Sequence, residues 1–281
     1  MRVVRTIGSL RQEIKKIKSR EKTIGFVPTM GALHEGHLSL IRKARRENDV
    51  VMVSVFVNPK QFGPKEDFQA YPRPEKKDIL LAKDEKVDII FHPSEKEMYP
   101  TGFLTSISVE GITGILCGAS RPGHFRGVTT VVGKLLNLIE PDILYLGQKD
   151  AQQAIVIKRM VADLNLPVTV KICPTIRDDD GLALSSRNQY LTPDQQQEAP
   201  ILFRALKIGK KNILNGERNA AKIVDCIRKT ITKHSKGKVD YIVCVNADTL
   251  APVEWIKGRI MLALAVKFGQ TRLIDNIVVR A

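Results

Sequence analysis

Two histidines three residues apart, His34 and His37, flank Gly36 in the run Phe26-Val27-Pro28-Thr29-Met30-Gly31-Ala32-Leu33-His34-Glu35-Gly36-His37. An imidazole can hydrogen-bond a phosphate oxygen, and a protonated one adds positive charge beside it. The apolar residues before the turn read as a strand and those after it as a helix. Such a helix start offers unpaired N–H groups and the positive end of a dipole, both suited to phosphate. Gly36 lets a phosphate or an adenine approach the backbone closely. The competing reading is a pair of structural histidines that cap the helix. A zinc-protease site is excluded, because His-Glu-x-x-His needs its ligands four residues apart.

Three further segments carry polar groups at turns. In Leu146-Gly147-Gln148-Lys149-Asp150-Ala151-Gln152-Gln153, Gly147 permits close backbone approach and Lys149 supplies a point charge. Gln153, one turn later, presents an amide on the same side. In Gly181-Leu182-Ala183-Leu184-Ser185-Ser186-Arg187-Asn188, two hydroxyls and a guanidinium suit phosphate oxygens. An ordinary polar turn is the plainer account of that stretch. In Phe56-Val57-Asn58-Pro59-Lys60-Gln61-Phe62, the amides of Asn58 and Gln61 could read a small polar substrate. The acidic run Asp178-Asp179-Asp180 invites a metal, yet turns favour Asp, and a solvated turn is the better account. No protein metal site is expected.

These segments need a frame. Helical spacing over residues 9–19 and 38–46 alternates with strand-like runs over 23–28 and 50–57. A helix over 75–86, a strand over 87–91, a helix over 128–139, a strand over 143–146, a helix over 151–164 and a strand over 168–172 continue the pattern. Buried strands alternating with helices predict βαβ units and a parallel sheet, an α/β Rossmann-like domain. After Cys173-Pro174 the character changes to helices over 192–215 and 220–233, then strands over 240–246, 259–268 and 271–279. This predicts a smaller α+β C-terminal domain, with residues 1–175 forming the first domain and 176–281 the second.

Composition bounds the rest. The 281 residues are 43% hydrophobic and 27% charged, ordinary for a folded chain. No run approaches the roughly 20 apolar residues of a membrane span, and no secretory signal opens the chain, so a cytoplasmic location without membrane partners is the default. The four cysteines form no Cys-x-x-Cys pair and read as reduced, buried thiols. The formal charge of +15 invites a nucleic-acid partner, but the basic residues are scattered over amphipathic helices without interleaved aromatics. Steering of anionic small substrates is the reading preferred, with no nucleic acid bound.

Taken together, these residues resemble the pantoate–β-alanine ligase family. The segment Met30 to His37 resembles its "HIGH" signature, and Leu184 to Asn188 its counterpart of the "KMSKS" loop. Stretches at residues 55–62 and 118–127 and at Leu273-Ile274-Asp275-Asn276 match as well, and the likeness runs from about Arg11 to the C-terminus. The resemblance implies ATP contacts at Met30, Gly31, Ala32, Leu33, His34, Glu35, Gly36 and His37, at Gly147, Gln148, Lys149 and Asp150, and at Ile176, Leu184, Ser185, Ser186 and Arg187. It implies that Gln61 and Gln153 hold pantoate, that Gln61 also lies near β-alanine, and that His37 is the residue treated as a proton donor. It implies catalysis by His34, His37 and Lys149 through a pantoyl adenylate, Mg2+ carried on the ATP phosphates, closure of the Ser185 loop over the nucleotide, and a homodimer. The rivals are a nucleotidyltransferase that uses no amine and an RNA-binding module.

Overall fold

The computed structural model describes residues 1–64 and 66–281, which fall into two compact units. The first comprises Met1–Gly147 and Val156–Cys173, the second Gln148–Ile155 and Pro174–Ala281. The second unit thus includes the short segment carrying Lys149 and Gln153.

In the first unit, strands β1 (Arg2–Val4), β2 (Ile24–Thr29), β3 (Val50–Val55), β4 (Ile89–Phe91), β5 (Ile143–Gly147) and β6 (Thr169–Cys173) form one sheet. All pairings are parallel and the order is β1-β4-β3-β2-β5-β6. Every residue of β3 is buried, so both faces of the sheet are covered, which is why the segment reads as an unbroken β-branched run. From β2 the chain builds outward through β3 to β4, then returns to lay β5 on the other side of β2. That reversal is the topological switch point at which open α/β sheets bind ligands, beyond the carboxyl ends of the strands. The architecture is Rossmann-like. The apolar stripe of helix Glu35–Glu47, including Leu38, Ile41 and Ala44, packs in one core with Val27, Val51 and Val53.

The second unit holds an antiparallel sheet of β7 (Lys238–Asn246), β8 (Arg259–Phe268) and β9 (Thr271–Arg280), in the order β7-β8-β9. Ile223, Ile227 and Ile231, at helical spacing on helix Ala220–His234, share a core with Leu206, Leu262 and Leu264. Each such buried aliphatic side chain contributes about 1.5–3 kcal/mol by leaving water.

Some elements differ from expectation, among them the short helices Glu95–Met98 and Cys117–Ser120, which the sequence reading does not include. The helix expected over 192–215 is two, Pro193–Glu198 and Ile201–Leu214. Pro200 lies between them, and proline has no N–H to donate to the preceding turn and a ring that crowds its carbonyl. Strand β1 has no counterpart in the sequence reading, because three residues are too few for alternation to register. It pairs Arg2, Val3 and Val4 with Ile89, Ile90 and Phe91. Cys117, Cys173 and Cys244 are buried thiols and Cys226 is half-buried, with no disulfide among the four. Among the described residues no helix is long and apolar enough to cross a membrane.

Candidate active site

The first unit presents its chemistry where the chain leaves β2. Helix Glu35–Glu47 starts at His34, whose extended backbone makes it the N-cap. His34 Nδ1 accepts the Gly36 N–H at 3.1 Å, and His37 Nδ1 lies 3.4 Å from the His34 N–H. The two rings stand 4.2 Å apart, centroid to centroid. The two rings therefore cap the helix start. A nitrogen that accepts carries no proton, so in the neutral rings the proton sits on Nε2. A Cβ on Gly36 would lie 2.8 Å from His34 Cε1, so glycine there makes room for the capping ring.

The turn before this helix is held from behind. Ala32 adopts φ +50°, a left-handed conformation uncommon for a residue with a Cβ. It is kept there by Asp78, 2% exposed, which accepts the N–H groups of Ala32 at 2.9 Å and Leu33 at 2.7 Å. Burial pushes the Asp78 carboxyl above its ordinary value, against the two N–H groups that favour its charged form. Replacing Asp78 by Asn turns one acceptor oxygen into an NH2 facing a donor. Asp78→Asn is expected to lose about 1–3 kcal/mol of stability by urea unfolding. A loss below about 0.5 kcal/mol, the range of an inconsequential surface change, would contradict the role. The sequence disguised Asp78 as an ordinary acidic residue in the first turn of helix Glu75–Asp84.

Gln61 is reached from β3 through a short 3-10 turn, Pro59–Gln61, capped by Asn58. Asn58 Nδ2 donates to Gln61 Oε1 and to the Gly127 carbonyl, each at 3.1 Å. Asn58 Oδ1 accepts from the Tyr99 hydroxyl at 2.8 Å and from the Lys60 N–H at 3.3 Å. A carboxamide has two donors and two lone pairs, so the capacity of Asn58 is spent inside the protein. Of the two amides expected to read a substrate, Asn58 instead supports Gln61. Gln61 is 8% exposed, and its Nε2 faces the Met30 sulfur at 2.9 Å. A thioether is a weak acceptor, so an incoming oxygen can replace it at little cost.

The Gln61 main chain is fixed as well. Its carbonyl accepts from His124 Nδ1 at 2.8 Å, which places a proton on that nitrogen. Arg121 reaches His124 Nε2 at 3.1 Å and pairs with Glu66 at 2.7 Å. Burial raises the Glu66 carboxyl, but the hydrogen-bonded guanidinium overrides it and holds the group below the usual range. Helix His124–Ile139 packs so close to the turn that a Cβ on Gly127 would lie 2.2 Å from the Lys60 carbonyl oxygen. In sequence, residues 118–127 show a family likeness without a role, and this support is what they supply.

The second unit holds the remaining expected residues. Gln148–Asp150 is a 3-10 turn leading into helix Ala151–Asp163, with Lys149 and Gln153 both half-buried. Lys149 Nζ lies 3.5 Å from Asp150. Arg177 bridges Ala183, and the Ile176 carbonyl accepts the Leu184 N–H at 3.0 Å, so Ile176 and Leu184 come together across a hairpin. Ser185 caps the short turn Ser186–Tyr190 by accepting the Arg187 N–H at 3.2 Å. Its hydroxyl hydrogen remains available to donate. Asp178 accepts the Leu182 N–H at 2.8 Å, and among the described residues no group of three or more His, Cys, Asp or Glu side chains could hold a metal.

Comparison with known proteins places this arrangement. The sequence profile of the family described as pantoate-beta-alanine ligase matches residues 2–278. A pantothenate synthetase from Moorella thermoacetica is 56% identical over 278 residues, 99% of this chain and 98% of its own. Another from Caldicellulosiruptor saccharolyticus is 54% identical over 279 residues, 99% of each chain. The crystal structure of pantothenate synthetase from Thermus thermophilus superposes with a TM-score of 0.93 at 45% identity, covering 99% of both chains. That of pantoate-beta-alanine ligase from Francisella tularensis, complexed with beta-gamma ATP and beta-alanine, gives 0.80 at 40% identity over 99% of this chain and 97% of its own.

Proposed function

The chain belongs to the pantoate-beta-alanine ligase family, and we propose that it joins pantoate to β-alanine through a pantoyl adenylate. The family's activity, ligation of pantoate and β-alanine, is the activity of this chain, and ATP is its substrate. In the first step a carboxylate oxygen of pantoate bonds to the α-phosphorus of ATP. The bond from that phosphorus to the oxygen shared with the β-phosphate breaks, and pyrophosphate leaves. In the second step the amine of β-alanine bonds to the acyl carbon, the acyl C–O bond breaks, and AMP departs with the oxygen while the nitrogen loses a proton. The detour is needed because hydroxide is a far poorer leaving group than AMP.

Positioning and charge stabilisation carry the first step. His34 and His37 donate from Nε2 to phosphate oxygens at the helix start. Lys149 adds a full positive charge, and the Ser185 and Ser186 hydroxyls and Arg187 contact the remaining oxygens. Met30, Gly31, Ala32, Leu33, Glu35 and Gly36 complete the nucleotide contacts of the first unit. Gly147 precedes Gln148 and Asp150, which with Ile176 and Leu184 supply those of the second half of the chain. Mg2+ arrives on the ATP phosphates, whose oxygens suit that hard cation. Gln61 and Gln153 hold pantoate, and Gln61 also borders β-alanine. A homodimer follows from the resemblance and is tested by sedimentation.

The observation that carries this reading is the full-length likeness, which includes the two-histidine helix start and the supported Gln61. Mixing enzyme, ATP, pantoate and Mg2+ should release pyrophosphate, with AMP appearing only after β-alanine is added. AMP release without an amine, or a stable nucleotide-linked product, would favour the nucleotidyltransferase instead. A finer test concerns Gln61→Ala. It removes a donor held in place by Asn58 and is expected to raise the apparent KM for pantoate roughly tenfold, as loss of a hydrogen bond costs about 1–1.5 kcal/mol. An unchanged pantoate dependence in initial-rate kinetics would reject that role.

A further inference from the structure

Strand β9 carries two adjacent buried polar residues, Asp275 and Asn276, that the mechanism does not use. Asn276 Nδ2 donates to the carbonyl of Gln148 at 2.9 Å and to that of Lys149 at 3.0 Å. Its Oδ1 accepts from Gln148 Nε2 at 2.8 Å. Both of its N–H donors thus end on the main chain of the turn that bears Lys149. Asn276 reaches this turn from more than a hundred residues away in sequence, and three hydrogen bonds from one buried side chain hold the turn's main chain and Gln148 in place.

The adjacent residue does the same for the other segment of this unit. Asp275 takes both arms of Arg177, at 2.6 and 2.9 Å, and Arg177 also donates to the Gly181 carbonyl at 3.1 Å. Arg177 stacks on the Phe203 ring at 3.6 Å. Arg177 and Gly181 belong to the hairpin that leads into Leu184 and Ser185. Two successive residues of one strand therefore tie down the turn bearing Lys149 and the hairpin bearing Ser185.

We infer that Asn276 is a positioning residue for adenylation, setting where Lys149 stands by holding the carbonyls of its turn. The inference rests on the proposed phosphate contact of Lys149. A displacement of about 1 Å in a group that stabilises transferring charge can cost a hundredfold, so the effect belongs in the rate and not only in the stability.

The test is a double-mutant cycle on pyrophosphate release in a single turnover, using wild type, Asn276→Asp, Lys149→Ala and the double variant. Asn276→Asp keeps the shape but removes both donors. It is expected to slow pyrophosphate release about tenfold or more, with the rate per folded molecule falling equally. Because Asn276 acts through Lys149, the double variant should be no slower than Lys149→Ala to within about threefold, a non-additive result typical of coupled residues. Losses that multiply, or an Asn276→Asp rate equal to wild type per folded molecule, overturn the inference. If Asn276→Asp does not accumulate folded, Asn276→Ser, which keeps one donor, enters the same cycle with the same expectations. A wild-type rate in Lys149→Ala defeats the underlying reading and the inference with it. Multiplying losses with an impaired Lys149→Ala defeat the inference alone.

Discussion

His37→Ala is expected to slow pyrophosphate release from ATP and pantoate about a hundredfold or more, while the protein stays folded. The size follows from the job assigned to the ring. With Nδ1 turned to the His34 N–H, Nε2 is the nitrogen proposed to donate to the phosphates. Removing one preorganised donor from a site where charge develops costs roughly 3 kcal/mol. The structural loss is smaller. The capping contact from His37 is 3.4 Å long, and His34 still caps the helix through Gly36, so about 0.5–1 kcal/mol of stability is at stake. Rapid-quench measurement of pyrophosphate, with thermal melting alongside, separates the two effects. A variant that melts early yet releases pyrophosphate at the wild-type rate would reduce His37 to a helix cap.

Lys149→Ala is the second variant with a large expected effect. Its ammonium is a point charge on a turn whose carbonyls are pinned by Asn276, so the stem starts from a fixed base. Losing a full charge beside the transferring phosphorus is expected to cost the rate of adenylation about a hundredfold or more, again near 3 kcal/mol. Stability should barely change, because the visible partner of the ammonium is Asp150 at 3.5 Å, half exposed, and pairs of that kind contribute about 0–1 kcal/mol. Lys149→Arg keeps charge but spreads it over a planar fork, and should recover only part of the rate. Stopped-flow detection of pyrophosphate from Lys149→Ala at the wild-type rate would remove the residue from the mechanism.

Local pattern carried much of this account. The β-branched run of β3 and the strand–turn–helix around His34 could be read because period and turn chemistry are written in neighbouring residues. The parallel sheet followed from their alternation. Pro200 was equally visible, and the helix expected to run through it is broken there for the reason any interior proline gives. What could not be read are partners distant in the chain. Asp78 meets Ala32 and Leu33 across more than forty residues, and Asn276 meets Gln148 across more than a hundred. Neither carries a local sign of its role, since an Asp in a first helical turn and an Asn in a strand have ordinary explanations. The helix start was legible, but the orientation of its two rings was not. Only the folded geometry shows Nδ1 of both rings turned toward main-chain N–H groups.

The same distinction explains Asn58 and Gln61. In sequence they are two amides three residues apart with equal claims on a substrate. In the fold, four contacts consume Asn58, and burial pushes the Tyr99 phenol up so that it stays a donor to it. Gln61 keeps one NH2 against a thioether.

The most direct measurement of the central claim follows an oxygen atom. Pantoate labelled with 18O in its carboxylate is incubated with ATP, Mg2+, β-alanine and the enzyme, and the AMP is analysed by mass. If the carboxylate attacks the α-phosphorus, each AMP formed carries one 18O taken from pantoate, and the pyrophosphate carries none. Unlabelled AMP, with the label in pyrophosphate or inorganic phosphate, would mean that the acid is activated at another phosphorus or not at all.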